Sequence, residues 1–255
     1  MSTDAVQTTR FAQFRDSAGR IGPFLRRAWA RRWVKLLAIL ALIPLLGYLL
    51  LWAIFTRDLP SAESLLTYEP PLPSNVRGID GDPIQTFARE RRVQLDYEEY
   101  PRQLIQAFLA AEDRTFFTHG GIDYPGIFPA IITNIQSSGR PVGASTITQQ
   151  VAKNLLLTNE LSYTRKIREM FLARRIEDVL TKQQILELYL NQIFLGRNAY
   201  GVQAAARAYF DKDVDDLALH EAAYLAILPK APSNYTPERH NERAVARRNI
   251  VLSEM

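Results

Sequence analysis

GASTITQQVAKNLLL, residues 143–157, is the least ordinary helix-forming stretch of this 255-residue chain, and its reading decides the fold. Ser145 can cap a helix beginning at Thr146. Along that helix Gln149 and Lys153 stand four residues apart, as do Gln150 and Asn154, so a stripe of hydrogen-bonding groups would run down one side. Ile147, Val151, Leu155 and Leu156 would back it with an apolar side. Solvated amphipathic faces more often carry Glu and Lys than paired glutamines. The stripe fits a binding surface as readily as a solvent face.

Upstream, AAEDRTFFTHGGID (110–123) ends a helical run on Glu112 and Asp113 and sets them beside Phe116, Phe117, His119 and a Gly120-Gly121 turn. A carboxylate held against aromatic rings loses solvation, which moves its pKa toward the range of a general base. Acids at helix ends beside aromatics are also common structural features, and His119 reads as a packing and hydrogen-bonding residue rather than a metal ligand. Downstream, RKIREMFLARRIED (165–178) places Arg165, Lys166 and Glu169 within about 100° of helical arc. One ion pair would leave a cation over, and surplus positive charge beside a carboxylate suits a phosphorylated substrate. A plain intrahelical ion pair is the structural alternative. KQQILELYLNQIFLGRNAYGVQAAARAYF (182–210) carries Glu187 and Asn191 four apart, read as polar scaffold behind a site. Gly196 and Gly201 follow at turn or close-approach positions, then a tightly packed helix through Ala204, Ala205 and Ala206.

Helical periodicity dominates from Leu104 onward. Ser162 or Thr164 can cap a helix to about Leu180, and Thr181 one to about Leu195. Pro229 should stop a helix over 217–228, and 238–255 is helical again. Residues 76–80 and 83–87 flank an Asp80-Gly81 turn signal and predict a small hairpin, which 92–95 could extend. The Pro- and Ser-rich stretch 60–75 reads as an extended connector rather than a packed element. The expectation is a mainly α domain with one β-hairpin.

Residues 36–55, LLAILALIPLLGYLLLWAIF, hold no charge and match a hydrocarbon core of about 30 Å. Trp33 and Trp52 stand at its ends like interfacial aromatics. A cleavable signal peptide would have a shorter apolar run and a small-residue cleavage site, which Thr56-Arg57-Asp58-Leu59-Pro60 is not. Arg26, Arg27, Arg31, Arg32 and Lys35 crowd the N-terminal flank and predict that it stays cytoplasmic, with everything after Arg57 outside. The net charge of +4 is concentrated there: 8 basic against 2 acidic residues up to Lys35 leave 23 basic and 25 acidic in the other 220. That balance argues against a nucleic-acid partner. No cysteine is present, which removes disulfide frameworks and thiol chemistry, and 3 histidines leave little for a histidine-rich metal site.

Taken in order, EDRTFFTHGG (112–121), GASTITQQVAKN (143–154), RKIREMFLARRIE (165–177), ILELYLNQIFLGRNAYGVQAAARAYF (185–210) and EAAYLAILPKAPSNY (221–235) resemble the peptidoglycan glycosyltransferases, glycosyltransferase family 51. These are the lysozyme-like domains of class A penicillin-binding proteins and their monofunctional relatives. The anchor, GDPIQTFARERR and the tail RRNIVLSEM resemble a bifunctional protein of the 1A kind. The resemblance implies that Glu112 is the general base and Glu169 a second glutamate. It implies that Lys153, Arg165 and Lys166 bind the pyrophosphate, and that Ser145, Thr146, Gln149, Gln150 and Asn154 line the substrate. Asp113, Phe116, His119, Glu187 and Asn191 would support the site. Mg2+ or Mn2+ is an expected cofactor, with Glu112 its candidate ligand. The implied partners are lipid II, the growing lipid-linked glycan, the inner membrane and other cell-wall synthesis proteins. The implied organisation is a cytoplasmic tail (1–35), an anchor (36–55), a linker (56–75), a hairpin region (76–100), the periplasmic glycosyltransferase domain (101–237) and the start of a linker toward a transpeptidase domain (238–255). That domain would need Ser-x-x-Lys and Lys-Thr-Gly motifs, which do not occur here, so the expectation is that it follows Met255.

Two rivals remain. A lytic transglycosylase would cleave glycan with one raised carboxylic acid and leave the cation cluster without a pyrophosphate to meet. A membrane-anchored scaffold would need neither Glu112 nor Glu169.

Overall fold

The computed structural model describes residues 32–68, 74–77, 79–80, 83–87, 93–127, 129, 145–157 and 163–255. The basic flank before Arg32, Ser162 as a cap and Arg92 as strand lie outside them. The chain divides into two compact units, 1–57 and 58–255. In the first, helix α1 (Arg32–Phe55) includes a 23-residue stretch, Trp33–Phe55, of mean hydropathy 2.5. By length and composition it can cross a membrane, and Pro44 sits within it.

The second unit is mainly helical with one hairpin. Strands β1 (Ser74–Arg77) and β2 (Pro83–Phe87) pair antiparallel from Ser74↔Phe87 to Arg77↔Pro83, with an irregularity between Val76 and Arg77. The first strand lies two residues earlier than its alternation implied. Pro83 has no N–H to give the ladder, so regular pairing cannot continue through it. Val93, Gln94 and Leu95 do not extend the sheet. The Leu95 backbone is already satisfied, because its N–H donates to Asn191 Oδ1 at 3.0 Å and its carbonyl accepts from Asn191 Nδ2 at 2.8 Å.

Helices α2 (Arg102–Glu112), α3 (Ile147–Val151), α4 (Tyr163–Val179), α5 (Lys182–Gln192), α6 (Val202–Phe210), α7 (Leu219–Ile227) and α8 (Pro237–Glu254) build the rest. One core joins α2 to α7, where Leu104, Ala107 and Phe108 pack with the Ala222, Ala223, Leu225 and Ala226 side chains. The small α7 side chains permit close helix approach. Another part of the core seats α3 against α4 and α5 through Ile147, Val151, Leu172, Ile176, Ile185 and Leu190. Burial of such side chains contributes about 1.5–3 kcal/mol each before entropy.

Two segments read as connectors are packed. Ala62 and Leu65, around a 3-10 turn at Glu63–Leu65, are buried in the core, so 60–75 is not extended throughout. Their apolar faces outweigh the local Pro and Ser signal. Residues 238–255, expected as the start of a linker, lie in α8, which packs on α7 and α2 with Ala244 and Val251 buried.

The helix ends follow local chemistry with two shifts. Thr181 accepts from the Gln184 N–H in a capping box, as expected. The cap of α3 is Thr146 rather than Ser145, again in a box with Gln149. Helix α5 ends at Gln192, not near Leu195, because the chain turns back: Gly201 N donates to Ile193 O at 2.9 Å, and Phe194 bridges Tyr200. Gly201 has φ +83°, and a Cβ there would stand 2.6 Å from the Asn191 carbonyl oxygen. Gly201→Ala is expected to cost about 3 kcal/mol by backbone strain and overlap, read as a lower midpoint in chemical denaturation with an unchanged slope.

Candidate functional site

Glu112 is the last residue of α2, partly buried, and its Oε2 accepts a hydrogen bond from Gln150 Nε2 of α3 at 2.7 Å. Burial pushes its pKa up, against the pull of the Gln150 bond and of the Arg247 and Lys230 charges; Asp113 adds to the rise. Burial dominates, so this carboxyl holds its proton to higher pH than an exposed glutamate.

Asp113 turns the other way and is structural. Its Oδ2 accepts from the Ile147 N–H at 2.9 Å, the first turn of α3, and both oxygens lie 3.0 Å from His119 Nε2. Because His119 Nδ1 accepts from the Gly121 N–H at 3.1 Å, the ring carries its proton on Nε2 and donates it to Asp113. The Thr146 hydroxyl donates to Gly121 O at 2.7 Å. Phe116, fully buried, packs edge-on against His119. The turn after Glu112 is thereby tied to the start of α3, which brings Gln150 to the carboxylate. Asp113→Asn sets an amide N–H against donors already in place. The expected cost is about 2 kcal/mol in thermal unfolding, with a parallel loss of activity.

Immediately after Val151 the helix widens into a π turn, Ala152–Leu156. Such turns break the 3.6-residue register and concentrate at functional sites. Here the break separates the two expected pairs. Thr146 and Gln149 are buried and spent on the capping box, whereas Lys153 and Asn154 are exposed. Thr146 and Gln149 thereby hold the helix start. Lys153 and Asn154 line a cleft of about 450 Å³ whose opposite side includes Tyr68, Phe194, Tyr200 and Pro229.

On α4, Glu169 is buried and meets two cations, Arg165 Nε at 3.0 Å and Lys166 Nζ at 2.9 Å. Lys166 Nζ also donates to Ser145 Oγ at 2.7 Å. Two cations on one carboxylate leave the group one positive charge in surplus, as the spacing implied. Through Ser145 and Gln150, both glutamates are tied to the same short segment, residues 145–150.

Glu187 and Asn191 are scaffold. Glu187 accepts from the Tyr97 N–H at 3.2 Å, and Asn191 Oδ1 also accepts from Tyr100 Oη at 2.8 Å, so α5 pins the strap before α2. Burial raises the Glu187 pKa, aided by Asp96 and Glu98 and opposed by the Tyr97 bond. Sequence reasoning missed Lys230 and Arg247, whose charges act on Glu112 from the turn after α7 and from α8. Lys230 follows the Pro229 helix stop and Arg247 lies in a stretch read as helix and linker start, and neither reading points toward Glu112.

For the expected Mg2+ or Mn2+, Glu112 would supply one carboxylate beside substrate phosphates. Among the described residues no three His, Asp or Glu side chains gather to hold a metal ion, and one Glu112 oxygen is taken by Gln150. Asp113, next to it in sequence, is committed to Ile147 and His119.

Glu112, a desolvated carboxyl, is thus joined by Gln150 to the segment whose Lys153 lines the cleft, within a mainly helical domain. The chain belongs to the transglycosylase family, whose family model, described as Transglycosylase, matches residues 80–255. It is 50% identical over 204 residues to Penicillin-binding protein 1A of Rickettsia felis, covering 79% of this chain and 26% of that protein. To Penicillin-binding protein 1A of Escherichia coli strain K12 it is 48% identical over 198 residues, covering 78% and 23%. The chain thus spans about a quarter of the length of these relatives. A crystal structure of Penicillin-Binding Protein 1A from Haemophilus influenzae aligns over 74% of this chain and 18% of its own, at 31% identity and a TM-score of 0.39, too low to bear on the fold.

Proposed function

We propose that this domain is a peptidoglycan glycosyltransferase that polymerises lipid II into β-1,4-linked glycan, with inversion at the anomeric carbon and release of undecaprenyl pyrophosphate. The observation that carries the reading is the raised Glu112 carboxyl, tied by Gln150 to the segment that presents Lys153 to the cleft. Glu112, once ionised, takes the proton of the acceptor 4-hydroxyl as that oxygen attacks the donor sugar. The bond from the anomeric carbon to the pyrophosphate oxygen breaks, and negative charge gathers on the leaving group. Lys153, with the net-positive Arg165–Lys166–Glu169 group, stabilises that charge. Family membership and the Penicillin-binding protein 1A relatives support the direction of the chemistry. Helix α1 would hold the enzyme at the bilayer where both substrates keep their lipid tails, with the N-terminus cytoplasmic and the domain outside.

The test is polymerisation of labelled lipid II by the detergent-solubilised chain, with and without Mg2+, beside Glu112→Gln. Lysozyme-digestible polymer from the unmutated chain alone supports the reading. Shortening of added glycan without polymer reverses it in favour of the lytic reaction.

A further inference from the structure

Tyr189 of α5 is the largest fully buried side chain, and its hydroxyl is enclosed with no hydrogen-bond partner among the described residues. Buried hydroxyls are nearly always paired, and an exception calls for a reason. The ring packs edge-on against Phe108, with centroids 6.2 Å apart and planes at 77°. Phe108 precedes Glu112 by four residues on α2, so it lies one turn below the carboxylate on the same face. The ring therefore meets the side chain one turn before the residue assigned as base. Burial and the negative charges of Glu112 and Asp113 also hold the phenolic proton firmly in place, which keeps the group a donor.

We infer that Tyr189 is a positioning residue for Glu112: when substrate is engaged, its hydroxyl becomes the second donor to the carboxylate, while Gln150 holds the other oxygen. Catalytic hydrogen bonds are often long or unmade in unliganded proteins and tighten in the complex, which is why the donor stands unpaired here. The charged groups acting on Glu112 are Asp113 after it, Lys230 from the turn after α7 and Arg247 from α8; the neutral donor in contact is Gln150 of α3. Among the described residues none of these supplies a second donor to the carboxylate. The inference rests on Glu112 being the base of the proposed reaction.

A donor to the ionised carboxylate favours its charged form, so losing it raises the pKa. The bond forms in the complex, so the acidic limb of kcat moves and that of kcat/KM moves little. The test is Tyr189→Phe, which removes one oxygen and keeps the ring, assayed as polymer formation against pH beside the unmutated chain and Glu112→Gln. The expected result is a kcat about 3- to 10-fold lower near pH 6, with its acidic limb displaced upward by about half to one pH unit. Thermal stability of the unliganded protein should be equal or higher, since no folded-state partner is lost. An unmoved kcat limb overturns the inference, whether kcat is unchanged or falls together with the melting temperature as a packing defect would make it. Failure of the unmutated chain to polymerise, or full activity of Glu112→Gln, would instead remove the base assignment itself.

Discussion

Glu112→Gln is expected to lower the proposed glycan polymerisation by on the order of 10³-fold or more, as loss of a general base requires. The same change makes the fold more stable at neutral pH. Burial raises the folded-state pKa of Glu112, so its neutral form is favoured in the folded protein. The sign follows from linkage: the stability this group contributes is full below its unfolded value of about 4.3 and is lost as pH rises through the raised folded value. Glutamine does not titrate. The variant and the unmutated chain should therefore melt alike near pH 4 and diverge as pH rises, with the variant higher. Thermal melts from pH 4 to 8, beside the polymer assay, check both halves. A variant that melts lower at pH 7 would show that Glu112 is held by stronger partners than Gln150.

Glu169→Gln carries the second large effect. Its carboxylate is buried and is the shared partner of Arg165 and Lys166. Removing the charge leaves two cations facing each other, with Arg165 mostly enclosed. Breaking such a pair costs about 3–5 kcal/mol when fully buried; the half-exposed Lys166 head is solvated, which brings the expectation to about 2–3 kcal/mol. Activity should fall by on the order of 10², because Glu169 and Ser145 hold Lys166, which is proposed to stabilise the leaving group. A double variant, Glu169→Gln with Lys166→Met, should recover part of the stability and none of the activity. Denaturant melts and initial polymerisation rates separate the two. Unchanged melting of the single variant would show that the three groups do not act as a unit.

Much of this was legible in the chain itself. The apolar run of α1, the hairpin around residues 79–80, the helical domain and the pairing of Glu169 with its neighbours all follow from spacing, because they depend on residues close in sequence. The candidate base was marked by the resemblance, its neighbouring aromatics alone leaving the acids open to a structural role. What spacing misjudged was the polar stripe. A regular helix would have put Gln149 and Lys153 on one face, but the π turn and the capping box send Gln149 inward and Lys153 to the cleft. The connector over 60–75 and the tail over 238–255 were misjudged for a related reason, since their apolar residues find a core made by other elements.

Residue order by itself determined the apolar helix, the class of fold and the family, since composition, periodicity and motif spacing are properties of the chain. Only the tertiary structure decided which polar residues serve the cleft and which serve the scaffold. It joined Asp113 to the start of α3, gave Asn191 to the strap at Leu95, and let the charges of Lys230 and Arg247 act on Glu112. The reason is physical: burial sets the protonation of a carboxyl and the worth of a charge, and burial comes from packing between segments that the sequence holds far apart.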